Sequence, residues 1–284
     1  MSETQVRPHL FRLAPEGCEI IVGDACTVLR GMRADQFRCC VTSPAYWGLR
    51  DYGVRGQIGA EDRLDEYVAH LVEAFREVRR VLTDDGTLWL NLGDSYTSGN
   101  RRWRATDKKN PARAMDYRPP TPEGLKPKDL IGVPWRVAFA LQADGWYLRS
   151  DIIWYKPNCQ PESVKDRPTR AHEYLFLLSK NEDYFYDQAA IQEQANTNGG
   201  TRNKRTVWPI NTEAFPGAHF ATFPPALIEP CVMAASEQGD TVLDPFFGSG
   251  TVGEVCLRLN RKFVGIELKA EYTRLARRRL GWEQ

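Results

Sequence analysis

The sequence contains no run approaching the ~20 consecutive apolar residues that a membrane-spanning helix needs. Its first residues carry charge and proline where a secretion signal would place an apolar segment, so the expectation is a cytoplasmic protein with no membrane contact. The seven cysteines include no Cys-x-x-Cys pair and the four histidines are far apart, which argues against a disulfide scaffold, structural zinc or any other metal centre. A net charge of +1 does not announce a nucleic-acid partner, which local clustering of basic residues would have to reveal. No low-complexity linker divides the 284 residues, and one catalytic domain spanning 1–284 is expected.

What is present centres on Asp244-Pro-Phe-Phe-Gly-Ser-Gly-Thr251. The apolar run Thr241-Val-Leu243 precedes it, and apolar residues at helical spacing follow from Val252 to Leu259, the order of a strand, a Gly-rich turn and a helix. Gly248 and Gly250 let backbone approach a ligand closely, and the helix start offers unpaired N–H groups to an anion. A second strand, Lys262-Phe-Val-Gly-Ile266, ends in Glu267, near the spacing at which an acid accepts hydrogen bonds from ribose hydroxyls. The succession fits a site for an adenosine-bearing cofactor, with an ordinary βα turn as the alternative. The oxidoreductase alternative fits poorly, because Asp-Pro before Gly-Ser-Gly departs from a dinucleotide fingerprint.

Toward the N-terminus, Cys18-Glu-Ile-Ile-Val22 predicts a strand stopping at Gly23-Asp24, where Asp24 serves either a cofactor or the N-cap of a short helix. The apolar strand Arg38-Cys-Cys-Val-Thr42 runs into Ser43-Pro44-Ala45-Tyr46-Trp47. Pro44 has no N–H and a fixed φ, so the chain leaves the sheet abruptly and its carbonyls point away from any ladder partner. A hydroxyl, a free carbonyl and an aromatic ring then stand together, as an extruded base requires for holding its amine and stacking its ring. A surface turn with a packing tyrosine is the competing reading. Residues 64–82 predict a core helix stopped at Asp84-Asp85-Gly86, and residues 225–235 a helix kinked at Pro230.

Two stretches gather basic side chains. Residues 98–128 hold Arg101, Arg102, Arg104, Lys108, Lys109 and Arg113 among aromatics and prolines, a composition suited to tracking a DNA backbone or to a solvated insert. The irregular stretch 188–212 holds Asn196, Asn198, Arg202, Asn203, Lys204 and Arg205, side-chain types that read purine edges in the major groove. Arg274, Arg277, Arg278 and Arg279 are expected to complement a helix dipole.

Ser-Pro-x-Tyr-Trp followed far downstream by Asp-Pro-Phe-x-Gly-Ser-Gly-Thr resembles the β group of amino-methylating DNA methyltransferases, in which the catalytic motif precedes the cofactor motif. Gly23-Asp24, Asp85-Gly-Thr-Leu-Trp-Leu-Asn91, His172-Glu-Tyr-Leu-Phe-Leu-Leu-Ser179 and His219-Phe-Ala-Thr-Phe-Pro224 are similar to further family segments in family order. The resemblance implies a Rossmann-like α/β fold with a mostly parallel sheet and helices on both faces. It implies S-adenosyl-L-methionine as cofactor, held by Asp24, His219, Phe220, Thr222, Phe223, Asp244, Pro245, Phe246, Gly248, Ser249, Gly250, Thr251, Glu267 and Leu268. Ser43, Pro44 and Tyr46 would be catalytic, Tyr46 and Trp47 would stack on the target base, and 188–212 would be the target-recognition region. The partner would be a specific site in double-stranded DNA, with a homodimer and a cognate restriction endonuclease as further partners of the group. Ser43 in place of Asp points to cytosine N4 over adenine N6. Ala45 replaces the family's second proline, which relaxes φ and keeps the Pro44 carbonyl; an impaired cofactor- and DNA-binding protein is the third alternative.

Overall fold

The computed structural model describes residues 14–49, 51–54, 56–98, 118–195, 199–213 and 223–282. The expected basic side chains from Arg101 to Arg113, Asn196, Asn198, and His219, Phe220 and Thr222 lie outside the described residues.

The first half of the chain runs β1 (Glu19–Val22), α1 (Ala25–Arg30), β2 (Phe37–Thr42), α2 (Leu64–Val81), β3 (Leu82–Leu92), α3 (Val133–Ala143), β4 (Tyr147–Tyr155) and β5 (His172–Ser179). The second half adds the short strands β6 (Glu193–Gln194), β7 (Thr201–Arg202) and β8 (Val207–Pro209), then α4 (Pro225–Ala235), β9 (Thr241–Asp244), α5 (Thr251–Arg258), β10 (Lys262–Glu267) and α6 (Ala270–Leu280). Eight strands form one sheet in the order β1-β10-β9-β2-β3-β5-β4-β8. Within it only β5 runs against its neighbours, pairing antiparallel with β3 and β4.

Alternation along the strands explains why helices cover both faces. Successive strand residues point to opposite sides, and Cys39, Val41, Trp89, Leu175 and Val242 pack with α4, α5 and α6. Cys40, Leu88, Leu90, Phe176 and Leu243 pack with α1, α2 and α3. Side chains buried this completely each contribute about 1.5–3 kcal/mol, so both faces of the sheet are held closed by their helices. Among the described residues no helix is long and apolar enough to cross a membrane, and no cluster of potential metal ligands is found.

Two expected boundaries shift. The helix at 64–82 ends at Val81, and Leu82 already pairs with Phe37 as the first residue of β3. Asp84-Asp85-Gly86 therefore lies within that strand as an irregularity, because the ladder to β2 resumes only at Cys39 opposite Thr87. The stretch 188–212 is more ordered than its composition suggests, with a small β6–β7 hairpin and with β8 extending the main sheet beside β4.

Candidate active site

Four neighbouring strands, β1, β10, β9 and β2, release their chains at one cleft, the carboxyl-end crevice where open α/β sheets hold ligands. β1 delivers Gly23 and Asp24, β2 delivers Ser43 and Ala45, β9 delivers the turn from Pro245 to Ser249 with Thr251, and β10 delivers Glu267 and Leu268. Phe223 closes one side. The cleft holds about 1070 Å³ of empty space including its open mouth, enough for a ligand larger than a nucleoside.

Asp24 is the N-cap of α1 and also stands at the cleft. Its carboxylate caps α1 by accepting from Thr27 N at 2.8 Å and Thr27 Oγ1 at 2.8 Å, and it also lines the cleft. Glu267 is 8% exposed, and each of its oxygens accepts one backbone amide, Gly248 N at 2.8 Å and Lys269 N at 2.8 Å. Burial holds its pKa above the ordinary value. A carboxylate oxygen has more than one acceptor position, so both oxygens retain capacity for a hydroxyl. Ser249 Oγ is buried in the cleft wall and has no hydrogen-bond partner among the described residues, a polar group left for a ligand.

Asp244 and Gly250, expected at the cofactor, do not line the cleft. Asp244 is 1% exposed and accepts Thr42 Oγ1 at 2.6 Å and Phe246 N at 3.1 Å, so it ties the end of β2 to the turn after β9. Gly250 has φ +82°, and a Cβ there would sit 2.9 Å from Ala276 Cβ, so its glycine serves the approach of α6 to α5. Arg279, expected to complement the helix dipole, has a side chain only 6% exposed whose guanidinium donates to Thr251 Oγ1.

Burial pushes the Asp244 carboxyl up to about 7, against the opposing hydrogen bonds from Thr42 and Phe246. An acid whose folded pKa is raised binds its proton more tightly in the folded state, so its stabilisation is complete below about pH 4 and is lost as pH rises through 7. Asp244→Asn keeps an acceptor and removes the proton. The unfolding free energy of the wild type relative to Asp244→Asn is expected to fall by up to about 4 kcal/mol between pH 4 and pH 8. Urea titrations across that range check it, and a difference independent of pH would contradict it.

The turn after β2 separates this cleft from a second one. Ser43 and Ala45 face the first, while Tyr46 lines the second with Gly93, Asp94 and Ser95. The Ala45 carbonyl accepts the buried Tyr67 hydroxyl at 2.9 Å, a restraint from α2 on the turn where the second proline is missing. Trp47, expected as a second stacking ring, lines the second cleft beside Tyr46 but is largely buried. It is 6% exposed, belongs to the core under α2, and donates Nε1–H to the Glu61 carbonyl at 2.9 Å. Cys231 is fully buried in α4 and its thiol donates to Leu227 O at 3.2 Å, with burial driving its pKa upward, which leaves no nucleophile there.

Several residues at the cleft carry no motif. Tyr52, Gln57 and Ile58, from the segment between β2 and α2, form one wall, and Tyr272 and Leu275 from α6 form another. Tyr52 meets Tyr272 edge-on at 5.8 Å between ring centroids. The three-residue spacing of Tyr272 and Leu275, one helical face behind Glu267, was the available signal.

In the stretch 188–212 several polar side chains hold one another. Arg202 and Arg205 both donate to Glu193 Oε1, at 2.9 and 2.7 Å, and Asn203 accepts Gln188 Nε2 at 2.6 Å. The Lys204 ammonium lies 4.9 Å from the Trp208 ring centre.

Comparisons with known proteins agree with this geometry. A DNA methylase family model covering N6 and N4 enzymes matches residues 37–278. The Type II methyltransferase M.SmaI of Serratia marcescens is 65% identical over 264 residues, 93% of this chain and 90% of that protein. M.Cfr9I of Citrobacter freundii is 63% identical over 267 residues, 94% and 89% of the two chains. Among solved structures, the PvuII DNA methyltransferase (cytosine-N4-specific) superposes with a TM-score of 0.71 at 21% identity, covering 94% of this chain and 87% of that one. A putative DNA modification methylase of Thermus thermophilus, solved in complex with S-adenosyl-L-methionine, gives a TM-score of 0.63 at 26% identity over 92% of each chain. With a cleft at the strands' carboxyl ends, the ends of β2 and β9 joined by the Thr42–Asp244 hydrogen bond, and a family match over most of its length, this chain belongs to the N6/N4 DNA methylase family and is a DNA methyltransferase.

Proposed function

We propose that the protein transfers the methyl group of S-adenosyl-L-methionine to the N4 amine of a cytosine extruded from duplex DNA. The observation that carries this reading is the Thr42–Asp244 hydrogen bond of 2.6 Å. It locks the Ser43-Pro44 turn beside the Pro245–Ser249 turn on adjacent strands, so a base held at the first lies next to a cofactor held at the second. Apolar and aromatic walls, the acids Asp24 and Glu267, and the free Ser249 hydroxyl suit an adenosine with an amino-acid tail.

Bound in that cleft, S-adenosyl-L-methionine supplies an electrophilic methyl group on a sulfonium centre. The chain's own part is to aim the amine. Ser43 Oγ and the Pro44 carbonyl accept its N–H groups and draw the lone pair out of conjugation with the ring, Tyr46 supports the ring, and the amine gains the methyl and loses one proton to solvent. Catalysis of this kind is positioning, worth several kcal/mol. No covalent enzyme intermediate is needed, consistent with the buried Cys231. Ser43 as the first residue of the turn, and the cytosine-N4-specific name of the PvuII enzyme, support cytosine; adenine N6 is the second reading, since a hydroxyl accepts from either amine.

Arg101, Arg102, Arg104, Lys108, Lys109 and Arg113 are proposed to track the phosphate backbone. Arg202, Asn203, Lys204 and Arg205 with the hairpin are proposed to present the recognition surface, held in shape by Glu193 and Gln188. The Type II naming of the relatives supports a place in restriction–modification, with a cognate endonuclease reading the same site.

Transfer of labelled methyl groups to unmethylated duplex DNA tests the activity. Label in DNA, incorporated far more slowly by Ser43→Ala, is the expected result; cofactor binding without transfer to any DNA would overturn it in favour of a binding protein.

A further inference from the structure

The strand that runs against its neighbours brings the acid of the His172–Ser179 segment to the carboxyl end of the sheet. Because β5 runs antiparallel to β3, its first residues lie at the carboxyl end of the sheet, with Tyr174 opposite Leu92. Glu173 therefore stands level with Gly93 and the catalytic turn. Its Oε2 accepts the Tyr46 hydroxyl at 2.8 Å, and its Oε1 pairs with the Lys156 ammonium. That ammonium, just beyond the end of β4, also sits 4.1 Å from the centre of the Trp154 ring. Asn91 is the second acceptor for the phenol, at 3.2 Å. Its own amide donates to Tyr174 O at 3.0 Å, which orients its oxygen toward Tyr46. The ring rests edge-on against Gly93, where a Cβ would lie 2.6 Å from Tyr46 Cε2.

We propose that Glu173, charged and held by Lys156, is a positioning residue that sets the plane of the Tyr46 ring for stacking on the extruded base. The proposal rests on the assignment of Tyr46 as the stacking residue. An ion pair 18% and 16% exposed is poorly suited as a stability device, because desolvation offsets much of its attraction. It is well suited to fixing a direction: one carboxylate oxygen is committed to the cation and the other to the phenol. The ring is then restrained at its hydroxyl by Glu173 and along its edge by Gly93, so its face stays where the turn presents it. Ordering that ring before the base arrives lowers the entropic cost of capture, which appears in the rate of transfer and not in cofactor binding.

Steady-state kinetics of Tyr46→Phe, Glu173→Ala, Glu173→Gln and the double variant Tyr46→Phe/Glu173→Ala on unmethylated duplex DNA, with Tyr46→Ala as reference, tests it. Tyr46→Phe and Glu173→Ala should each lower kcat about tenfold, the worth of one hydrogen bond to a charged group. The double variant should be no slower than either single one, Glu173→Gln should recover part of the rate because its amide oxygen still accepts the phenol, and KM for S-adenosyl-L-methionine should stay unchanged throughout. Additive losses, or a silent Tyr46→Phe beside a strongly impaired Tyr46→Ala, would overturn the positioning role while leaving the stacking assignment standing. A silent Tyr46→Ala would overturn the stacking assignment and the proposal with it. Tyr46→Phe keeps the packed ring, so it remains decisive if Glu173→Ala does not fold.

Discussion

Ser43→Ala is expected to lower kcat about 10²–10³-fold while KM for S-adenosyl-L-methionine changes less than about threefold, the pattern of a hydrogen bond that strengthens only as the reaction proceeds. The amine of a nucleobase is a poor nucleophile because its lone pair is shared with the ring. An acceptor at Ser43 Oγ strengthens its pull as the nitrogen pyramidalises and its N–H groups become acidic. The substitution leaves Pro44, the Thr42–Asp244 hydrogen bond and the Tyr67 restraint on Ala45 in place, so the turn keeps its path. Kinetics with saturating DNA separate the two parameters. A raised KM with unchanged kcat would instead move Ser43 to the cofactor site, whose wall it shares.

Glu267→Ala is expected to do the reverse, raising KM for S-adenosyl-L-methionine about a hundredfold with little change in kcat. Its carboxylate holds the Gly248 and Lys269 amides and lines the cleft, so its removal frees the glycine turn and deletes the acceptor offered to a ribose. Two hydrogen bonds to a charged group, at about 1.5–3 kcal/mol each, are enough for that loss even after partial relaxation. Calorimetric titration with the cofactor measures it. Binding weakened less than about threefold, with the fold intact by circular dichroism, would show that Glu267 serves only the turn.

The parts of this site legible in the sequence are those that depend on neighbours along the chain. Pro44 and the glycine turn announce where β2 and β9 release the chain, and β-branched runs before Asp24, Ser43, Asp244 and Glu267 mark the strand ends that converge. What was not legible depends on pairing across the sheet. Asp244 was expected at the cofactor through the resemblance of its motif; its carboxylate accepts the hydroxyl of Thr42, 202 positions away, a contact that only strand pairing creates. Glu173 meets Tyr46 across 127 positions through the reversal of β5, which nothing in its own segment signals. Nothing in the local sequence of Trp47 signals that its ring joins the core under α2 and that its indole N–H meets the Glu61 carbonyl. In the stretch 188–212, composition supplied arginines and asparagines but not the shared Glu193 that accepts from Arg202 and Arg205.

Specificity for the cytosine amine is the claim on which the proposed mechanism is most exposed, and nucleoside analysis by mass spectrometry addresses it directly. Unmethylated DNA incubated with the protein and S-adenosyl-L-methionine, then digested to nucleosides, should contain N4-methylcytosine and no N6-methyladenine. N6-methyladenine alone would keep the fold, the cofactor cleft and the positioning of the amine, and would contradict the assignment of Ser43 to cytosine.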